Sequence, residues 1–207
     1  MLDPLLRRLI DPPLNVTGRF LAARGVPATA VTGIGFAAGL CVVPVLAMGW
    51  YGLALGIIAF NRVLDGVDGA VARAHSTEAS EFGGYVDIVA DMVFYASVVF
   101  GFALADPANA IWAALLLAGF VGTCASFLGH AVVAARRGDV TTARGEKSFF
   151  HAGGIVEGTE TILFLAAMCL FPEAFSWLAI LFAVLCGGTI VGRVIVARRQ
   201  WTVKESA

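Results

Sequence analysis

The chain has 207 residues, of which 59% are hydrophobic and only 14% are charged, and its formal net charge is −1. Soluble domains carry about 25% charged residues, so this composition leaves too little polar surface to cover a globule and excludes a water-soluble domain. The near balance of basic and acidic residues gives no reason to expect nucleic acid as a partner.

Six stretches of the chain are long and apolar enough to cross a membrane as helices, which requires about 20 residues each. In chain order, we predict transmembrane spans over residues 28–48, 51–72, 84–105, 110–134, 150–171 and 175–197. We therefore expect an all-α membrane protein with a single domain over residues 1–207. Its six-helix bundle occupies residues 28–197, and residues 198–207 form a tail.

Residues 1–27 precede the first span and mix leucines with arginines, and Pro12 and Pro13 interrupt the apolar run. We predict an amphipathic surface helix along the membrane interface, with its arginines near anionic lipid. A flexible tail is the alternative. Because the first long apolar stretch begins only near residue 28 and has the full length of a span, we do not expect a cleaved signal peptide.

Outside the spans, lysine and arginine lie on one side of the predicted bundle. They precede the first span, follow the second, separate the fourth from the fifth, and follow the sixth, whereas the other three connections contain none. By the positive-inside rule, both termini face the cytoplasm. Only Arg62 and Arg193 fall within spans.

Four aspartates lie inside the predicted spans: Asp65 and Asp68 in the second, Asp87 and Asp91 in the third. Each costs about 2.5–3.5 kcal/mol in mid-membrane on insertion scales, so the group requires compensation. Because the two spans run antiparallel, Asp68 and Asp87 lie about 6–8 Å, and Asp65 and Asp91 about 12 Å, below the cytoplasmic surface. Carboxylates in two matched layers favour a hard divalent cation, Mg²⁺ or Mn²⁺, as one ion or a pair.

Small residues and an arginine accompany the acids. Gly69 and Ala72 share the helical stripe of Asp65, where the lack of side-chain bulk lets a flat or phosphorylated ligand reach the backbone, and Arg73 follows at the rim. Together with metal-holding acids, they are typical of a seat for a nucleotide pyrophosphate. The alternative is a structural ion-pair cluster in which Arg73 and the two arginines of the spans neutralise the acids.

The stretch from residue 61 to residue 91 resembles the signature of the CDP-alcohol phosphotransferases (CDP-alcohol phosphatidyltransferases), D-x-x-D-G-x-x-A-R followed by G-x-x-x-D-x-x-x-D. The fixed positions are matched by Asp65, Asp68, Gly69, Ala72, Arg73, Gly83, Asp87 and Asp91. The resemblance also covers architecture, because that family has six spans, cytoplasmic termini, a surface helix before the first span and a similar length.

The resemblance implies a reaction and roles for the matched residues. A phosphoalcohol group is transferred from a CDP-linked donor to an alcohol, and CMP is released. Asp65, Asp68 and Asp87 would hold two Mg²⁺ ions, and Asp91 would complete the metal site beside the second ion and act as general base. The residues that would line the cytidine diphosphate site are Gly69, Ala72, Arg73 and Gly83.

The donor implied by resemblance to the bacterial phospholipid synthases is CDP-diacylglycerol. The implied location is the inner membrane, with the active site facing the cytoplasm and membrane lipids around the bundle, and a homodimer is expected by resemblance alone. The acceptor stays open: inositol phosphate, glycerol phosphate, another polyol, serine or an amino alcohol.

Candidates for binding the acceptor lie in the second half of the chain. Arg144, Lys147 and Arg193 resemble the bases that hold an acceptor phosphate in the family, although each could instead anchor its helix. Glu157 is predicted about 13 Å along the fifth span. A carboxylate at that depth requires acceptor hydroxyls, an ammonium group or Arg193 as its partner.

Two other functions are compatible with acids inside a membrane. Aspartate-rich intramembrane prenyltransferases also chelate Mg²⁺-pyrophosphate, but those chains are longer, have more spans and lack the G-x-x-A-R continuation. A divalent-cation transporter could use the four aspartates as its site, but it would not need Gly69, Ala72 and Arg73 in register.

Overall fold

The computed structural model describes residues 3–75, 81–137 and 156–202, with side chains from residue 10 to residue 201. Every regular element in these ranges is helical. The α-helices are α1 (Asp3–Ala23), α2 (Ala28–Leu40), α3 (Val42–Ala47), α4 (Tyr51–Ala74), α5 (Glu81–Ala105), α6 (Ala110–Arg136), α7 (Gly158–Leu170) and α8 (Phe175–Thr202). Short 3₁₀ turns at Pro107–Asn109 and Pro172–Ala174 lead into α6 and α8.

The all-α membrane class is confirmed. Four stretches of the described chain are long and apolar enough to cross a membrane: Ala28–Ala47, Glu81–Ala105, Pro107–Arg136 and Pro172–Trp201. The helix α7 is apolar but shorter, and α4, which is about 36 Å long, carries Asp65, Asp68 and Arg73 of the signature. A total of six crossings stays a prediction.

The first predicted span is divided into α2 and α3 at Cys41. Pro44, in α3, has no N–H to donate, and its ring crowds the carbonyl of the residue four positions earlier, which interrupts the helical hydrogen bonding at this point. The fifth span also differs from its prediction, because α7 begins only at Gly158. The first residues predicted for that span, 150–155, lie outside the described part of the chain.

The N-terminal segment is helical, as predicted, but Pro12 and Pro13 do not end the helix, which continues from Asp3 to Ala23. Leu14 and Leu21 of α1 pack with Val67 and Val71 of α4 in a small apolar cluster. The contact with α4 supplies the packing that offsets the hydrogen bonds lost at the two prolines. Helix α1 is therefore a packed neighbour of the signature helix.

The contact between α1 and α4 depends on Gly18. A Cβ atom at this position would lie 2.6 Å from the backbone carbon of Ala70. We expect Gly18→Ala to destabilise the protein by about 1–3 kcal/mol through overpacking. The control is Gly33→Ala in α2, where a Cβ would meet nothing within 4 Å. Thermal unfolding in detergent should show a lower midpoint for Gly18→Ala than for Gly33→Ala, and equal midpoints would contradict the tight contact.

Aromatic rings pack the interior of the bundle. The Phe102 ring stacks on Tyr51 with centroids 5.7 Å apart and on Phe175 with centroids 4.7 Å apart. Phe182 stacks in the same way on Phe164, at 4.5 Å. These contacts join α4, α5 and α8 and join α7 to α8. The helices α4 and α5, which carry the signature aspartates, are therefore held together by a packed aromatic core.

Helix α2 approaches the signature helices along a face of small residues. A Cβ at Gly35 would lie 3.1 Å from the Leu64 side chain, and one at Gly39 would lie 2.8 Å from Asn61 Nδ2 and 2.9 Å from the Phe94 ring. Both glycines are buried. The absence of side chains at these two positions brings α2 close enough to supply polar groups to the acids of α4.

Candidate metal and nucleotide site

Three of the four signature aspartates converge. Asp65 and Asp68 of α4 and Asp87 of α5 each offer a carboxylate oxygen, and the three oxygens all lie within 4.8 Å of one another. Charged oxygens from three side chains are the ligands that a hard cation such as Mg²⁺ takes, and this spacing lets them meet around one ion with small side-chain movements. The donor set therefore fits a divalent metal ion.

Asp68 is supported by a residue of another helix. It is buried, and the Thr32 hydroxyl of α2 donates to its Oδ2 at 2.6 Å. Sequence reasoning missed Thr32, because nothing in the local pattern of α2 links it to an aspartate 36 residues away. Its hydroxyl fixes the direction of the carboxylate, which is how neighbouring hydrogen bonds orient metal ligands.

We expect Thr32→Val, which keeps the shape of the side chain and removes the hydroxyl, to weaken Mn²⁺ binding by about 10–100-fold. Titration of the purified protein with Mn²⁺ measures the change. The matched control is Thr17→Val, since the exposed Thr17 hydroxyl donates to the Pro13 carbonyl of its own helix. Equal affinity in the two variants would remove Thr32 from the support of the site.

Asp91 has different partners. Its Oδ1 accepts a hydrogen bond from Arg62 Nη2 at 2.7 Å, and its Oδ2 accepts one from the Tyr95 hydroxyl at 3.2 Å. Arg62 Nη1 also lies 3.5 Å from Asp65 Oδ2. Among the described residues, the three-carboxylate group therefore excludes Asp91, for which the sequence predicts both a metal-ligand role and a general-base role.

Arg62 gives partial support to the structural ion-pair alternative. It neutralises two of the acids, whereas the hydrogen bonds that we describe for Arg73 and Arg193 go to Asn15 and to α6. The sequence offers one signal for this role, because Arg62 lies within a span and three residues before Asp65, on the same helical face. Asp68 and Asp87, two of the three convergent carboxylates, are not among the acids that we find paired with Arg62 in the described residues.

A polar pocket opens between α2, α4 and α5 beside the acids. Its lining consists of Thr32, Gly35, Phe36, Asn61, Arg62, Asp65, Asp68, Ala90 and Asp91. Asp65 and Asp68 of α4 and Asp91 of α5 contribute to this lining, whereas Asp87 does not.

Arg73 lies over the small-residue face of α4. A Cβ at Gly69 would lie 3.2 Å from Arg73 Nη1, and Arg73 Nη2 donates to Asn15 Oδ1 of α1 at 3.2 Å. The guanidinium is thus an exposed cation beside bare backbone, near the acids, which is the arrangement that a pyrophosphate requires. Ala72 and Gly83 are half-buried.

The acceptor residues predicted from the sequence have mixed outcomes. Arg144 and Lys147 lie outside the described residues. Glu157 is the N-cap of α7 rather than a residue within the helix, and it forms a capping box with Glu160, whose Oε2 accepts from the Glu157 N–H at 3.2 Å. Carboxylates satisfy the free N–H groups of a helix start, so Glu157 lies before the first turn of α7, and its depth in the membrane stays a prediction.

Arg193 is buried in α8 and is held against α6. Its Nη1 donates to the Thr123 carbonyl at 2.8 Å and lies 3.3 Å from Ser126 Oγ. Its Cζ lies 5.6 Å from the centre of the Phe127 ring. These contacts explain how an arginine is accommodated inside a span, and they fix its position between the last two long helices.

Comparison with known proteins gives consistent matches. A model of the CDP-alcohol phosphatidyltransferase family matches residues 26–190. The inner membrane protein YnjF of Escherichia coli is 45% identical over 195 residues, which cover 94% of each chain. An archaetidylinositol phosphate synthase of Pyrococcus horikoshii is 36% identical over 99 residues, which cover 48% of this chain and 52% of that one.

Proposed function

The chain belongs to the CDP-alcohol phosphatidyltransferase family, and we propose that it transfers the phosphatidyl group of CDP-diacylglycerol to a small alcohol or polyol, with release of CMP. The observation that carries this proposal is the convergence of Asp65, Asp68 and Asp87 within 4.8 Å, beside the exposed guanidinium of Arg73. In this proposal, the three carboxylates hold a metal ion, and the guanidinium attracts a phosphate.

The metal is Mg²⁺ in this proposal, and Mn²⁺ is able to replace it. When bound, such an ion neutralises charge on the diphosphate of the donor. Asp65, Asp68 and Asp87 would hold it through carboxylate oxygens, and Thr32 would keep Asp68 in position. The resemblance implies a second ion near Asp91.

The transfer step forms one bond and breaks another. The acceptor oxygen attacks the phosphorus that carries the diacylglycerol group, and a new oxygen–phosphorus bond forms. The bond from that phosphorus to the bridging oxygen breaks, and CMP leaves with the electron pair. The acceptor proton passes to the carboxylate of Asp91, which acts as general base.

The nucleotide end of the donor would bind along the small-residue face of α4. Gly69 and Ala72 let the ligand approach the backbone, Gly83 does the same at the start of α5, and Arg73 binds a phosphate oxygen. Asn15 of α1 supports this proposal, because its hydrogen bond to Arg73 holds the guanidinium over Gly69.

We propose a polyol phosphate as the acceptor. This choice is supported by the relative that is an archaetidylinositol phosphate synthase, which matches about half of this chain. A phosphate on the acceptor calls for bases, and Arg144, Lys147 and Arg193 are the candidates that we retain. Glu157 remains a candidate for acceptor hydroxyls, now from its position at the start of α7.

The protein is an integral membrane protein. We place it in the inner membrane, in line with the name of the Escherichia coli relative, with termini and site on the cytoplasmic side, where the basic residues lie. Two copies would associate as a homodimer. The length and apolar character of the described spans support membrane integration, and the charge pattern supports the cytoplasmic position of the termini and the site.

The test is CMP release by the purified protein from CDP-diacylglycerol labelled in the cytidine. Each reaction contains Mg²⁺ and one alcohol from a panel of inositol phosphate, glycerol phosphate, free polyols, serine and ethanolamine. We expect release that requires both metal and acceptor, with EDTA and the reaction without acceptor as controls. Cation flux into vesicles without CMP release would favour a transporter, and transfer of a prenyl group would favour a prenyltransferase.

A further inference from the structure

A hydrogen bond between two helices fixes the start of α7. The Oγ1 atom of Thr189, a buried residue of α8, accepts from the Val156 N–H at 3.1 Å. Val156 is also buried, and it directly precedes Glu157, the N-cap of α7. Its N–H lies before the helix, where the hydrogen bonds within α7 do not reach. Thr189 therefore supplies an acceptor to a buried N–H that would otherwise carry a desolvation penalty.

The same face of α8 carries Arg193. Thr189 and Arg193 are four residues apart, so they lie one above the other on the helix. Among the ionisable groups whose charge acts on the Arg193 guanidinium, Glu157 has the largest effect. Arg193 Nη1 is itself fixed by the Thr123 carbonyl of α6 at 2.8 Å. Thr189 thus holds the backbone next to Glu157, while α6 holds the guanidinium on which Glu157 acts.

We infer that Thr189 is a positioning residue for acceptor binding, because its hydroxyl sets the place of the Glu157 carboxylate relative to the Arg193 guanidinium. The inference rests on the proposed function, in which these two groups are candidates for binding the acceptor. Thr189 is only 1% exposed, and its Oγ1 is engaged by the backbone, so it acts through Glu157 and does not contact the acceptor itself. A binding group displaced by about 1 Å costs an enzyme up to about 100-fold in rate.

The effect should be confined to the acceptor. Thr189 lies on α8, whereas the three-carboxylate group belongs to α4 and α5. A change at Thr189 therefore leaves the groups that bind the metal and the donor in place. Loss of positioning at Glu157 removes binding that the acceptor has before and during the transfer, which raises a KM and leaves kcat unchanged.

The experiment measures CMP release by the full-length protein in detergent, with the panel alcohol that gives the fastest release as the acceptor. Thr189→Val keeps the shape of the side chain and removes the oxygen. We expect the acceptor KM to rise by about 10–100-fold, with kcat and the KM for CDP-diacylglycerol within about threefold of the unaltered protein. Thr189→Ser keeps the oxygen and should restore the acceptor KM.

The matched control is Thr161→Val in α7. Thr161 is buried, and its hydroxyl donates to the Glu157 carbonyl at 3.0 Å within α7, so this variant loses a buried hydroxyl and keeps the bond to α8. Its acceptor KM should stay within about threefold of the unaltered protein. In a Glu157→Gln background, Thr189→Val should raise the acceptor KM no further, because two changes that act through one group are not additive.

The outcomes separate this inference from the proposed function. An unchanged acceptor KM in Thr189→Val, an equal rise in the donor KM, or an equal loss in Thr161→Val would overturn the role of Thr189 and leave the transfer reaction standing. Absence of CMP release from the unaltered protein with every alcohol would overturn the proposed function and this inference together. Where Thr189→Val does not fold, Thr189→Cys carries the test, since a thiol is a weak acceptor, and an unchanged acceptor KM in that variant would overturn the inference.

Discussion

Asp91→Asn is expected to lower the turnover number for CMP release by about 10²–10⁴-fold, the usual contribution of a general base. The amide keeps the size of the carboxylate, and its oxygen still accepts the hydrogen bond from Arg62 Nη2. The packing of α4 against α5 should therefore survive. What is lost is the ability to take a proton from the attacking alcohol.

Binding measurements on Asp91→Asn distinguish a lost base from a damaged site. Because Asp91 lies outside the three-carboxylate group, we expect Mn²⁺ affinity and CDP-diacylglycerol affinity to stay within about threefold of the unaltered protein, a change below 1 kcal/mol. Turnover close to that of the unaltered protein would remove Asp91 as the base. A large loss of metal affinity would make it a ligand instead.

Helix geometry alone predicted much of the acidic site. The rise per residue and the antiparallel direction of two spans put four aspartates at matching depths, and three of them do converge. The fourth, Asp91, pairs with Arg62. Depth and helical face do not predict this contact, because they do not say which side chains meet between two helices.

Features that depend on contacts between distant segments could not be predicted. The hydroxyl of Thr32 reaches Asp68 only because α2 packs closely against α4 through Gly35. The close contact between Gly18 and Ala70 likewise joins segments separated by about 50 residues, and it makes α1 a support for the site. Hydropathy and charge patterns describe each helix alone, so they predict the spans and leave these pairings undetermined.

The start of the fifth helix shows a different limit of sequence reasoning. Hydropathy continues through residues 150–171 without a break, and it therefore predicts one span of ordinary length. The capping box of Glu157 and Glu160 instead starts α7 at Gly158. Two glutamates three residues apart before an apolar run can signal a helix start as well as a binding group, and the structure shows the helix start.

Asp87→Asn should have the second large effect, through the metal. Asp87 is the contribution of α5 to the three-carboxylate group, and an amide in its place removes one negative charge from the ligands of a hard cation. We expect Mn²⁺ affinity to fall by at least about 100-fold, because the loss of a supporting hydrogen bond alone costs about 10–100-fold. At ordinary Mg²⁺ concentrations, CMP release should fall with it.

The matched control is Asp106→Asn, which makes the same substitution at the other end of α5. Asp106 caps the 3₁₀ turn before α6, where its side chain accepts from the Ala108 N–H at 2.9 Å, and asparagine serves equally well in that position. Asp106 is 19 positions from Asp87, about 28 Å along a helix. Metal affinity and CMP release should be unchanged in this variant, and a loss equal to that of Asp87→Asn would show that any change in the charge of α5 disturbs the protein.

Raising the metal concentration separates a ligand from a base. In Asp87→Asn, the remaining carboxylates of Asp65 and Asp68 still bind the ion weakly, so mass action should restore part of the turnover at high Mn²⁺. In Asp91→Asn, the ion is already bound, and no concentration of metal supplies the missing proton acceptor. If high Mn²⁺ restored both variants equally, Asp91 would belong with the metal ligands, and the division of labour between the two aspartates of α5 would be wrong.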